Sequence, residues 1–157
     1  MTSDLLISGR TPLSVSDAVG AIIRVESDGY LMQLRDSKQD IWYPGRWGLF
    51  GGAIEPDEDP MGALKRELRE ELELEIETAE FFARIDFDLG SLPLPRFYRS
   101  YYVVSISRAV ESRLVVHEGA AKRLFRGHEI LEQPNVTPYD AFALFLYHAR
   151  GRLTYSA

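Results

Sequence analysis

The stretch Gly52–Leu74, GAIEPDEDPMGALKRELREELEL, decides how this chain is read. Asp59-Pro60 within it is a helix start. An aspartate side chain can accept from the free amides of a first turn, and proline suits the first helical position because its missing N–H would have no partner there. Met61, Leu64, Leu68 and Leu72 then recur at helical spacing and predict one buried stripe. Glu67, Glu70 and Glu71 stand three and four residues apart and share one side of that helix. At about 100° per residue their arc lies beside the apolar stripe, which predicts carboxylates at the edge of the core, in a cleft. So dense an acidic arc needs a counter-charge. A divalent cation supplies it most simply, and the best reason for one is a phosphate-bearing substrate. A plainer reading stands beside this: helices rich in Glu, Lys and Arg are often solvated faces. Arg66 with Glu70, and Arg69 with Glu73, would form i,i+4 pairs worth only about 0.2–0.5 kcal/mol each.

Outward from the helix, Gly51-Gly52 marks a place where the backbone can turn tightly or approach a ligand. Trp47 to Phe50 reads as a strand end, with Trp47 and Phe50 packed beneath the glycines. Ala21 to Val25 and Tyr30 to Arg35 read as a hairpin around Ser27-Asp28-Gly29. Residues 36–46, DSKQDIWYPGR, form a polar and aromatic loop. After the helix, Phe81 to Leu89 and Phe97 to Ile106 read as strands joined by the Pro93/Pro95 segment, and Leu114 to Glu118 as a short edge. Ala120 to Phe125 has no clear period and reads as a helical turn or a loop. His128 to Leu131 reads as a single turn, and Tyr139 to Arg150, behind Pro138, as the final helix. Residues 1–15 form a loose lead-in and 16–157 one domain of the α+β class, a mixed sheet between helices.

Composition excludes several functions. The 157 residues are 45% hydrophobic, enough for one real core. The net charge of −6, with lysine and arginine scattered, argues against a phosphate-backbone grip on a nucleic-acid polymer. There is no cysteine, hence no disulfide, thiolate nucleophile or cysteine zinc site, which fits a cytoplasmic setting. The first residues show no basic start leading into a long apolar run, and no stretch approaches membrane-spanning length, so no membrane is expected as a partner.

The pattern Gly52, Glu58, Arg66-Glu67-Leu68, Glu70-Glu71 and Leu74 resembles the Nudix box in register, with Glu73 where that family has glycine. The resemblance implies an alpha/beta/alpha sandwich with a mixed sheet and a catalytic helix after a glycine-rich loop. It implies magnesium, with manganese as the substitute, held by Glu70, Glu71 and the carbonyl of Gly51, with Glu67 as a further ligand or the general base. Glu58 becomes the partner of Arg66, steadying the catalytic helix. Glu118, in VVHEGAAKRLF, is the best match for one more glutamate from a later loop, with a plain turn residue as the alternative; Glu111, Glu129 and Glu55 are weaker candidates. A glycine at position 73 would let the helix end left-handed, whereas a residue with a side chain costs roughly 1–2 kcal/mol there. Altered geometry at the helix exit is therefore expected, and a homodimer is implied at the family level alone.

A small nucleotide substrate needs a stacking surface and phosphate donors. Trp42, Tyr43 and Phe97 offer aromatic faces and Arg46 and Arg99 guanidinium groups, with Tyr98 and Arg96 beside them; one or two of these are expected to face the pocket, a structural role being the alternative for each. Asn135 to Asp140, NVTPYD, is expected either to line the rim or to cap the last helix. His117 stands next to Glu118 and close to any site built there. The function the resemblance implies is magnesium-dependent hydrolysis of the pyrophosphate linkage in a nucleoside triphosphate or a nucleotide sugar, by water attack at phosphorus. The alternatives are a non-catalytic nucleotide-binding or regulatory module with the same fold, which Glu73 keeps open, and a purely structural domain.

Overall fold

The computed structural model describes residues 15–38, 41–91 and 95–153. The lead-in up to residue 14, Pro93, and the end of the domain from residue 154 lie outside the described residues. Ala18–Val25 (β1) and Gly29–Leu34 (β2) are apolar and buried almost throughout, as strands covered on both faces must be. They pair antiparallel, but only from Ile23 to Val25 and from Gly29 to Leu31. Beyond that the two strands part, and the segment from Trp47 to Ala53 enters the gap. Trp47–Gly48 (β3) pairs with β2, while Phe50 and Ala53 bridge to Ala21 and Ala18 of β1. Phe97–Ile106 (β5) runs parallel to β1 over its length, and Glu80–Phe87 (β4) lies antiparallel to β5. Ala121–Arg126 (β6) takes the free side of β2, antiparallel.

Alternation along β1 sends Val19, Ala21, Ile23 and Val25 to one face and Ile22 to the other. The first set packs with Phe50 against Leu64, Leu68 and Leu72 of Pro60–Leu72 (α1). On the other face Ile22, Met32, Tyr101 and Phe125 meet Ile130 of Gly127–Glu132 (α3), and Leu144 and Tyr147 of Pro138–Leu153 (α4). Arg108–Glu111 (α2) is a single turn. The architecture is the α+β sandwich with a mixed sheet. No helix among the described residues is long and apolar enough to cross a membrane.

Several local expectations change. β1 begins three residues before Ala21, and β4 stops at Phe87 short of Leu89. Leu114 to Glu118 is not a strand; the His117 amide bonds to the Glu71 carbonyl at 2.9 Å, off the sheet. Ala120 to Phe125 is neither a helical turn nor a loop, since almost all of it is β6. Trp47 packs edge-on against Phe125, at 5.0 Å between centroids, in the core layer opposite the one that holds Phe50.

Candidate active site

The split between β1 and β2 sets the site. Val19 N–H bonds to Gly52 O at 2.9 Å and Ala21 N–H to Phe50 O at 2.8 Å, so the glycine turn lies flat against β1. A Cβ on Gly51 would stand 2.4 Å from Val19 O, and its φ of +129° disfavours any side chain as well. α1 starts beyond this turn, with Asp59 accepting from Gly62 N–H at 2.7 Å and Pro60 in the first turn.

Glu71 faces inward from α1 and is 4% exposed. Its Oε2 accepts from Gly51 N–H at 2.8 Å and its Oε1 from Gln33 Nε2 at 3.2 Å, while Gln33 also bonds to Leu49 O at 3.1 Å. One carboxylate thus ties helix, glycine turn and β2 together. Burial pushes this carboxyl up to about 8, the Gly51 amide pulls it back, and the charges of Glu67 and Glu118 add to the rise. Glu67 lies under Gly52 and is also raised, mainly by burial, with Arg66 opposing and Glu70 and Glu118 reinforcing.

Arg66 runs along the outer side of α1. It grips Glu58 with two bonds, Nε to Oε1 at 3.0 Å and Nη2 to Oε2 at 2.9 Å, and donates to Ala53 O at 2.9 Å. Its Nη1 lies 2.8 Å from Glu67 Oε1 and 3.4 Å from Glu70 Oε2. The Arg66 bond holds the Glu58 carboxyl below its usual range. Arg66 therefore locks the loop to the helix and orients Glu67, and it does not line the cleft. Arg69 pairs with Glu75 instead of the expected Glu73. The reason is at the helix exit. Glu73 takes the left-handed conformation itself, φ 55° and ψ 29°, which turns its side chain to His117 Nε2 at 2.6 Å. The helix ends as it would with glycine, at a backbone cost of roughly 1–2 kcal/mol.

A cleft of ≈ 570 Å³ opens over these groups. It brings together Gly51, Glu67, Glu71, Glu118, Trp42, Phe97 and Arg99 of the expected residues. Tyr43 and Arg46 are not in its wall: Tyr43 packs on Tyr139 at 5.8 Å, and the Arg46 guanidinium lies 5.9 Å from the Tyr43 ring. Glu70 does not line it either; its side chain is 59% exposed on the rim side held by Arg66. Glu111 is paired with Lys122 at 2.7 Å and Glu129 caps α3 through Arg126 N–H. Arg96 pairs with Asp88, and Tyr98 lies under Arg84. Gln33 in the wall escaped notice in the sequence, whereas Tyr139 and Asp140 fall in the Asn135 to Asp140 stretch expected at the pocket rim or as a helix cap: Tyr139 lines the cleft and Asp140 lies beneath it in the first turn of α4. Asp140 is 1% exposed and accepts from Leu49 N–H at 2.9 Å and Thr137 Oγ at 2.8 Å, with Arg99 at 3.7 Å. Arg99 in turn lies over the Tyr139 ring at 4.5 Å. Gln33 too left a signal, as a polar residue in an otherwise apolar buried strand.

The donors facing the cleft are hard oxygens, and the buried carboxylates raise one another's affinity for protons. That chemistry fits a divalent cation of the magnesium kind. Among the described residues no three acidic or imidazole groups converge as a metal cage, and both Glu71 oxygens accept hydrogen bonds, from Gly51 and Gln33.

The fold and this carboxylate helix behind a glycine turn define a class, and sequence comparison agrees with it. The NUDIX domain matches residues 15–144, and the chain belongs to that family. It is 42% identical over 48 residues to a nucleoside triphosphatase NudI of Salmonella agona, covering 31% of this chain and 34% of that protein. It is 42% identical over 72 residues to the CTP pyrophosphohydrolase of Escherichia coli, covering 45% of this chain and 50% of that one. The chain thus spans half or less of the length of these curated relatives. Among solved structures, the MutT protein of Methanosarcina mazei superposes with a TM-score of 0.72 at 18% identity, covering 92% of this chain and 99% of that one, a likeness of fold.

Proposed function

We propose that this chain hydrolyses the pyrophosphate linkage of a small nucleotide and requires magnesium, with manganese as the substitute. The observation that carries this reading is the meeting of Glu67, Glu71 and Glu118 in one cleft with Trp42, Phe97 and Arg99. Glu67, Glu71, Glu118 and the Gly51 carbonyl would hold the cation, with Glu70 joining them by turning in from the rim where it meets Arg66. When bound, the cation screens the charge of a diphosphate and polarises its oxygens. The aromatic faces of Trp42 and Phe97 suit a base, and Arg99 suits an anionic or carbonyl oxygen. Glu67, raised by burial and steered by Arg66, takes the proton of the attacking water. The water oxygen bonds to phosphorus, the bridging P–O bond breaks, and the nucleotide and its phosphorylated partner leave. Between nucleoside triphosphates and nucleotide sugars we favour the triphosphates, because both curated relatives carry names of that kind.

The test is a screen of nucleoside triphosphates and nucleotide sugars, with and without magnesium, in oxygen-18 water. Label in one product phosphate and loss of turnover in chelator are expected. Turnover indifferent to chelator, or none on any substrate with magnesium present, would overturn the proposal.

A further inference from the structure

Glu73 stands where the family box has glycine and accepts a strained left-handed backbone, φ 55°, that glycine would adopt freely. What it provides in exchange is a side chain. Its Oε1 accepts from His117 Nε2 at 2.6 Å, and the His117 amide donates to the Glu71 carbonyl at 2.9 Å. His117 is therefore bound twice to the exit of α1. Glu118 follows and lines the cleft. Gly119, φ +89°, then seats against the Gln33 side chain and the Leu34 carbonyl, and Ala120 N–H bonds to Leu34 O at 2.8 Å. The segment is anchored to α1 on one side of Glu118 and to β2 on the other. The Glu73–His117 bond is the side-chain half of the first anchor.

We propose that Glu73 is a positioning residue: through His117 it holds the loop so that Glu118 faces Glu67 and Glu71. The inference rests on the hydrolase reading for its catalytic consequence, while the anchoring itself is measurable without turnover. The variants are Glu73→Gly, Glu73→Gln, which keeps an acceptor, His117→Ala, and the Glu73→Gly/His117→Ala pair.

In Glu73→Gly the urea midpoint rises because backbone strain is relieved, yet amide exchange at residues 117–120 in chelator accelerates by about three- to five-fold, the upper range for an exposed polar pair. Manganese binding followed by calorimetry weakens by a similar factor, and kcat falls by a similar factor with KM within about two-fold. Glu73→Gln stays close to wild type. The double variant is no worse than His117→Ala, since one bond has been removed twice. Unchanged exchange and manganese affinity in Glu73→Gly, or additive losses in the double variant, would overturn the inference. Wild-type protein that turns over nothing would instead overturn the hydrolase reading, and the exchange data would still decide whether Glu73 anchors the loop.

Discussion

Replacing Glu71 with Gln tests the physics of the site directly. The Glu71 carboxyl is pushed up to about 8 by burial, against an ordinary value of 4.5. Between those values the folded chain holds a proton that the unfolded chain has released, so stability falls as pH rises through that window. The displacement corresponds to on the order of 5 kcal/mol, retained in full below pH 4.5 and lost in full above about pH 8. A glutamine cannot ionise and escapes this loss. It brings its own cost, because its NH2 must face either Gly51 N–H or the Gln33 amide, both donors to the carboxylate. One mismatched buried bond costs about 1–3 kcal/mol. Urea unfolding of both proteins in chelator, followed by the fluorescence of Trp42 and Trp47, should therefore cross over. The wild type is equal or more stable at pH 5, and Glu71→Gln is more stable by about 2–4 kcal/mol at pH 9. Magnesium at pH 8 should restore stability to the wild type far more than to the variant, while turnover of the variant falls by about 100-fold, the equivalent of roughly 3 kcal/mol. Stability differences that stay flat within about 1 kcal/mol from pH 5 to pH 9 would refute the account, since they would mean that burial does not burden this carboxylate.

Three further outcomes are expected. A Cβ in Gly52→Ala would lie 2.5 Å from Glu67 Oε1, a mobile carboxylate end and not backbone. Stability should change by less than about 1 kcal/mol, while turnover drops by about ten-fold or more as Glu67 is displaced. Asp140→Ala strands the buried Leu49 N–H and leaves Arg99 without its carboxylate. Chemical denaturation should show a loss of about 3–5 kcal/mol. Glu118→Gln should slow turnover by about ten-fold with an unchanged urea midpoint; an unchanged kcat would return Glu118 to the role of a turn residue.

The glutamate-rich helix α1 was legible because its features are local. The Asp59 cap and the Pro60 start follow from local capping chemistry and the apolar stripe from the 3.6-residue period, and these stand in the structure as expected. Of the carboxylate arc, Glu67 and Glu71 reach the cleft and Glu70 turns out to its rim. The Glu58–Arg66 pair spans only eight residues and came with the box. What escaped depends on distant partners. β6, AKRLFR, has charges on both faces, as edge strands often do, and only pairing with β2 makes it a strand. The segment from Leu114 to Glu118 looks like an apolar edge, but its amide at His117 goes to a helix exit 46 positions earlier, at Glu71. The Gln33–Glu71 and Leu49–Asp140 bonds join residues 38 and 91 positions apart. No pattern within one element announces them. The expected Arg69–Glu73 pair failed because i,i+4 spacing presumes a helical φ at both ends, and Glu73 lies outside that region.

The same contacts explain why the cleft lies at the sheet's split. β1 and β2 separate after three paired residues, which opens backbone groups that a continuous hairpin would have satisfied. The glycine turn fills the gap from the β1 side, but its Gly51 N–H points away from the sheet and needs an acceptor. A neutral acceptor would satisfy that amide without adding a charge. Glutamate at position 71 satisfies it and adds a charge that burial opposes. Such a group stabilises the turn by its hydrogen bond and burdens the fold once it ionises, a burden that a proton or a cation would relieve. Arg66 relieves Glu67 and Glu70, yet it forms no contact with Glu71. The buried carboxylate is left facing a cleft that can admit what the protein itself does not supply.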